Sequence, residues 1–191
     1  MKRLSTPGAA LTLILFFSAI VRVFFFQQLA ATDLVSVPIL DSQSYHDWAA
    51  QLVSGNPGWG ETYWMGPLYP HLLALVYLLF GVGGMAISAL QLLLSIVNIA
   101  LVFSLARDFQ AQGGNRWTPV LAATIFALYG APVFYAGLIL MATVVTTLYL
   151  LIARQALVAW RKNSTSSWVW LGLMVGIAGL ARGNVLLLLA T

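Results

Sequence analysis

The sequence predicts an all-α, polytopic integral membrane protein, and two observations carry that prediction. Of 191 residues, 61% are hydrophobic and 7% are charged, and the mean hydropathy is +0.91. Five apolar runs are also long enough to cross a bilayer. A soluble domain carries about 25% charged residues, so nine Lys and Arg with five Asp and Glu cannot coat a water-facing surface. This composition excludes a soluble enzyme and a disordered tail. With no cysteine, a disulfide scaffold and a Cys-ligated metal site are excluded as well. The basic residues are scattered between apolar runs, so the net charge of +4 is no nucleic-acid signal. The expected partner is the lipid bilayer.

The five runs cover residues 8–31, 85–106, 118–134, 138–158 and 168–190. Each can span about 30 Å of hydrocarbon at about 1.5 Å per residue. The first also has the outline of a secretory signal, with Lys2 and Arg3 as its basic end. Arg22 interrupts it, however, and Leu29, Ala30 and Ala31 form a poor cleavage site. A sixth run, Gly66 to Phe80, is shorter and leads into Gly81, Val82, Gly83 and Gly84, a helix-breaking stretch.

Charge decides what the short run does. If it crosses, Arg107, Arg116, Arg154, Arg161 and Lys162 all fall outside, against the positive-inside rule. If it lies in the interface or re-enters, all five fall inside with Lys2 and Arg3. Asp33, Asp41, Asp47 and Glu61 then fall outside, and only Asp108 inside. The expected topology is an inner N-terminus, five crossings and a large first outer loop over residues 32–84. The chain stops at Leu186 to Thr191 without a basic stop signal or a polar ending. It therefore reads as the N-terminal portion of a longer protein, and such a fragment is expected to be inactive alone.

The outer loop holds most of the polar chemistry. Tyr45, Trp48, Ala49, Leu52 and Val53 recur at the spacing of one helix face. Asp41 stands where an N-cap belongs, and Gly55 where a C-terminal cap belongs. The expected element is an amphipathic helix on the outer membrane surface, with Tyr45 and Trp48 at headgroup depth. The next stretch, with Trp59, Tyr63 and Trp64, is a loop whose rings suit an interface or stacking on sugars.

Asp41 has two readings. As an N-cap it satisfies free amides of the helix; as a surface carboxylate it deprotonates an acceptor hydroxyl or binds a divalent cation. Asp47 lies on the polar face of the same helix and reads as solvated. His46 and His71 lack metal-ligand spacing, so no zinc site is expected. His71 opens an apolar helix after Pro70, as an interfacial residue or a phosphate contact.

Arg22 falls in the first span and Arg182 in the fifth, both in the outer half. A buried arginine costs at least about 2.5–3.5 kcal/mol on the insertion scale, so it faces a partner or a cavity. Either the two snorkel to headgroups, or they hold the phosphate of a lipid-linked substrate. Asn98, Thr143, Thr146 and Thr147 read as helix contacts. The spacing of Gly172, Gly176 and Gly179 likewise reads as close helix packing, and no nucleotide-binding Gly-rich loop is present.

The ordered set resembles a known pattern: Arg22 in the first span, Asp41 and Tyr45 on a surface helix, then Gly66, Pro67, Leu68, Tyr69 and Pro70 opening an apolar run. Ala49 and Gly55, then Ala106 with Arg107, and Gly176, Leu180 and Arg182 extend it over essentially the whole chain. The chain is similar to the polyprenol-dependent membrane glycosyltransferases of the GT-C superfamily. The nearest branch is that of dolichyl-phosphate-mannose–protein mannosyltransferases and bacterial aminoarabinose transferases.

That resemblance implies a hexosyl- or pentosyl-transferase that moves a sugar from a polyprenyl-phosphate donor to a protein, lipid or glycan acceptor. The reaction would occur on the outer face of a bacterial plasma (inner) membrane, with the N-terminus cytoplasmic and the loop periplasmic or extracellular. It implies Asp41 as the catalytic base; the chemistry of the residues themselves adds Arg22 and Arg182 for the phosphate and Tyr45, Tyr63, Trp64, Tyr69 and His71 around the substrate. No cofactor is fixed by the motifs; a divalent cation belongs to the oligosaccharyltransferase branch. Ser42 follows Asp41 where the protein mannosyltransferases have Asp-Glu. The stretch from Tyr135 to Ala142 lacks the second acid that many relatives carry, which argues against a two-carboxylate metal site. The rival class is a transporter or flippase component that guides an anionic lipid or solute past the two arginines. Carriers favour broken midplane helices and internal repeats, and neither is evident in the sequence. A non-catalytic membrane anchor would not need so organised a polar loop.

Overall fold

A computed structural model describes residues 6–35, 37–56, 65–110 and 114–189. The described residues form eight α-helices: α1 (Thr6–Ala30), α2 (Asp41–Val53), α3 (Leu68–Phe80), α4 (Gly84–Gln110), α5 (Thr118–Leu128), α6 (Gly130–Gly137), α7 (Ala142–Lys162) and α8 (Thr165–Ala181). A 3-10 turn, Gly183–Leu189, follows α8. No strand occurs among the described residues, and the fold is the all-α polytopic class.

Helices α1, α4 and α7 are each long and apolar enough to cross a membrane, and α5 with α6, bent by 50°, adds a fourth if the pair is one span. The break has a local cause. Pro132 has no N–H, and inside a continuous helix its ring would strike the carbonyl of Leu128. The helix therefore ends at Leu128 and restarts at Gly130, which puts Pro132 in a first turn, where it is tolerated. The expected span 138–158 also begins later, at Ala142. Residues 138–141 instead run along α4, where Ser88 Oγ donates to the Gly137 carbonyl (2.6 Å) and Gln91 Nε2 to the Leu138 carbonyl (2.7 Å).

The expected fifth crossing, 168–190, is not one helix. Helix α8 has 17 residues, about 25 Å at 1.5 Å per residue, and stops before Arg182. The 13 residues of α3 reach about 20 Å, short of the roughly 30 Å of hydrocarbon.

The bundle has two chemically distinct ends. At one, Pro7, Gly8, Arg107 and Arg116 line a common pocket. Arg154 Nε lies 3.5 Å from Asp108 Oδ2, and Arg161 donates to the Asp108 carbonyl. Gly84, at the far end of α4, lies against Val35 beyond α1, so tightly that a Cβ there would meet the Val35 carbonyl. Gly66, before α3, lies against Ala181, where α8 ends. Since α8 runs antiparallel to α7, both ends of α3 sit at this second end. Asp33, Asp41 and Asp47 belong to it.

The apolar face of α2 is the expected one, but what it covers is different. Tyr45 (2% exposed) and Trp48 (1% exposed) are buried in protein rather than set at headgroup depth. Tyr45 and Ala49 pack with Tyr69, Leu73, Ala74 and Tyr77 of α3, four residues at helical spacing that present a complementary face. The opposite face of α3, with Leu75, Leu78, Leu79 and Phe80, is exposed.

Candidate functional site

The candidate site is built where α2 begins. Leu40 precedes the helix with φ 54° and ψ −129°, a sparsely populated conformation for a residue with a Cβ, held only where its surroundings over-determine it. It turns the chain so that Asp41 is the first helical residue rather than the cap. The amide of Ser42 bonds to the Ile39 carbonyl, and those of Gln43 and Ser44 to the Leu40 carbonyl. No side chain among the described residues caps the helix. The Asp41 carboxylate, expected as a cap acceptor, is exposed and accepts no hydrogen bond among the described residues. It still benefits from the positive end of the helix dipole.

The other end of α2 behaves as expected. Gly55 takes φ 82°, its amide bonds to the Leu52 carbonyl, and the Asn56 amide bonds to the Gln51 carbonyl. This pair closes the helix in the left-handed manner that glycine permits. Helix α2 is thus fixed at both termini and along its buried face.

One turn after Asp41, Tyr45 packs edge-on against Tyr69 with ring centroids 4.9 Å apart. Burial pushes the Tyr45 phenol up in pKa, the Asp41 charge pushes it further, and the Arg182 charge pulls it down. One phenol therefore feels both an acid and a base of the chain. Arg182 leaves the end of α8 exposed, and the close seat of Gly66 on Ala181 brings α3 to that same point. Asp41 and Arg182 form no ion pair with each other or with any other described residue. His71 Nδ1 lies 2.7 Å from the Pro67 carbonyl, and its ring meets Trp48 at 6.2 Å. His46 Nδ1 lies 2.6 Å from the Tyr77 hydroxyl, a link between α2 and α3.

Arg22 stands in other surroundings. It is 1% exposed, and it does not snorkel. Its Nε donates to Ser95 Oγ of α4 (2.6 Å) and its Nη1 to the Ser18 carbonyl (3.3 Å), while Nη2 has no partner among the described residues. It lies eight residues before the end of α1, about 12 Å into the helix. A cavity of about 190 Å³ beside Ser95 is lined by Asn98, Tyr129, Tyr135 and Thr143. Asn98 Oδ1 is buried there without a partner among the described residues. The two arginines expected as a pair share no hydrogen-bond partner among the described residues.

Trp59, Glu61, Tyr63 and Trp64 lie outside the described residues, as do Lys2 and Arg3. No group of three His, Asp or Glu that can hold a metal ion occurs among the described residues. Ser95, Gln91 and Tyr77, which support Arg22, Tyr69 and His46, were not identified in the sequence. Only their polar type within apolar runs hinted at them.

The model of the family described as dolichyl-phosphate-mannose-protein mannosyltransferase matches residues 65–191. The match takes in α3 to α8 and Arg182, and leaves Arg22 and Asp41 outside. No curated protein and no solved structure matches the chain.

Proposed function

This chain belongs to the dolichyl-phosphate-mannose-protein mannosyltransferase family, membrane glycosyltransferases that use polyprenyl-phosphate sugar donors, and we propose that Asp41 is its catalytic base. In this reading the Asp41 carboxylate takes the proton of an acceptor hydroxyl. The freed oxygen attacks the anomeric carbon of the donor, and the bond from that carbon to the lipid phosphate oxygen breaks. The electron pair leaves with the phosphate, whose added charge Arg182 offsets.

The observation that carries the reading is the uncapped start of α2. The helix satisfies its first amides through Ile39 and Leu40, so the carboxylate stays available for chemistry. Tyr45, Tyr69 and His71 would border the sugar and phosphate, and Arg22 would act deeper, on a group within the membrane. The outer-face location follows from the positive-inside rule, with the arginine-bearing end of the bundle inside. Tyr63 and Trp64 would line the sugar pocket.

The test compares cells carrying the wild type with cells carrying Asp41→Asn, by mass spectrometry of extracted polyprenyl-phosphate sugars. Accumulation of one lipid-linked sugar in the mutant supports the reading, and its mass gives the sugar class. Identical pools, with the mutant protein present in the membrane, would overturn it. Transport would then be the next reading, since the bent α5–α6 pair is the kind of broken helix carriers use.

A further inference from the structure

The arginines at the arginine-bearing end of the bundle divide into two kinds. Arg154 and Arg161 are both engaged by Asp108. Arg107 and Arg116 form no ion pair among the described residues, yet both line one cavity of about 260 Å³. That space is many times the roughly 30 Å³ share of a single water. Gln110 joins the two cations on its wall, and no acid does.

A short return of the chain brings these residues together. Arg107 stands in the last turn of α4, where a cation suits the helix dipole. The Gly114 amide bonds back to the Gln110 carbonyl at 3.4 Å. Asn115 then takes two amides, that of Trp117 on Oδ1 (3.0 Å) and that of Thr118 on its carbonyl (2.9 Å). This turn holds Arg116 just ahead of α5, with its guanidinium 5.7 Å from the centre of the Trp117 ring, a cation–π contact. The floor is apolar and fixed: Phe103 packs with Ile99, Ala123 and Ala127, and Pro119 is buried. Pro7 and Gly8, in the first turn of α1, close the third side. Helices α1 and α5 both begin here, and their positive ends add to the two guanidinium charges.

Two cations without an acid suit the binding of an anion, not proton transfer, and guanidinium groups match the oxygens of a phosphate bidentately. The position of the cavity selects the source of that phosphate. Helices α1 and α4, each long and apolar enough to cross a membrane, meet at it. Trp117, which follows Arg116, and Phe109, which precedes Gln110, are exposed, as aromatic residues are at headgroup level. We infer that this cavity binds the phosphate of an anionic phospholipid from the leaflet at that end, as basic pockets between membrane helices do. It lies at the opposite end of the bundle from Asp41, so it is separate from the donor site, and it does not rest on the glycosyltransferase reading.

The test is native mass spectrometry of the whole protein in detergent, titrated with dioleoyl phosphatidylglycerol. Arg107→Gln combined with Arg116→Gln should weaken the tightest-bound phosphatidylglycerol about 30-fold, the sum expected for two arginines at a lipid surface. Arg154→Gln combined with Arg161→Gln removes the same charge from the same end. It should change that affinity less than about threefold, since charges away from the phosphate are screened. Equal weakening by both pairs would overturn the inference, because general surface charge would then hold the lipid. Displacement of the phosphatidylglycerol by millimolar inorganic phosphate would overturn it too, and make free phosphate the ligand.

If the Arg107 and Arg116 variant does not fold, the wild type decides. It is reconstituted in phosphatidylcholine vesicles that contain phosphatidylglycerol with a photoreactive headgroup, and the labelled peptides are mapped. Labels concentrated on the end of α4 and the starts of α1 and α5 support the site; labels confined to other segments overturn it. Neither measurement needs sugar transfer, so failure of the glycosyltransferase reading leaves this result standing.

Discussion

The two ends of the bundle handle charge in opposite ways. At the arginine-bearing end, Asp108 is engaged twice: its carboxylate faces Arg154 at 3.5 Å, and its carbonyl accepts from Arg161. At the other end, Asp41 and Arg182 both act on the Tyr45 phenol, yet neither pairs with the other. The first arrangement satisfies charges where the chain meets water. The second leaves a carboxylate and a guanidinium unpaired among the described residues, beside the buried Tyr45–Tyr69 ring pair. Unpaired charge on a rigid support marks the region where chemistry is expected, and paired charge marks the region where it is not.

The largest effect is expected at Asp41, where Asn should lower transfer by about 10²–10⁴-fold, the usual contribution of a positioned base. Arg182→Gln comes next, with a loss of about 10²-fold in kcat/KM for the lipid-linked donor, as for removal of one electrostatic contact to developing charge. An unchanged rate would separate Arg182 from the site.

Gly66→Ala should act through packing. Its Cβ would run into the Ala181 carbonyl, and overpacking of this kind costs about 1–3 kcal/mol. The thermal midpoint should fall and transfer with it, because α3 and α8 part where Arg182 emerges. Gly83→Ala is the control: its Cβ meets nothing within 4 Å, so no change is expected.

Asp108→Asn, at the opposite end, should cost less than about 1 kcal/mol, since its ion pair is partly exposed, with side-chain exposures of 46% for Arg154 and 25% for Asp108. Transfer should stay at the wild-type level, and a large loss would erase the contrast between the ends.

The smallest effect concerns Tyr45. Its pKa is raised above the model-compound value of 10.0 in the folded state, so the folded form holds the proton more tightly than the unfolded one. The associated stability is complete below pH 10 and is lost as pH rises through the folded-state pKa. Tyr45→Phe should flatten the fall of the thermal midpoint above that pH; an unaltered fall would place its cause elsewhere.

Much of this frame is legible in the sequence, because membrane spans and helix faces are one-dimensional signals. The helical spacing of Tyr45, Trp48, Ala49, Leu52 and Val53 gives α2 and its buried side, and Gly55 gives its end. The sequence does not say what covers that side, because α3 and lipid are both apolar. Asp at a helix start suits either the cap or the first turn, and the unusual φ of Leu40, which no sequence pattern shows, puts Asp41 in the first turn. The bend after Leu128 follows from Pro132, whereas the exit from α6 depends on tertiary donors, Ser88 and Gln91, that bond to the Gly137 and Leu138 carbonyls. Likewise, glycines at helical spacing signal a small face, but not whether it packs or stays open.

Asp41 is proposed to be free for proton transfer because the helix does not use it as a cap. The most direct measurement compares Asp41→Ser with Asp41→Asn and the wild type, by thermal midpoint and by the initial rate of sugar transfer. Serine and asparagine are both good N-caps, so a capping role would be met by either. Thermal midpoints near that of the wild type are expected, with transfer lost in both variants. Transfer at the wild-type rate in either variant would contradict it.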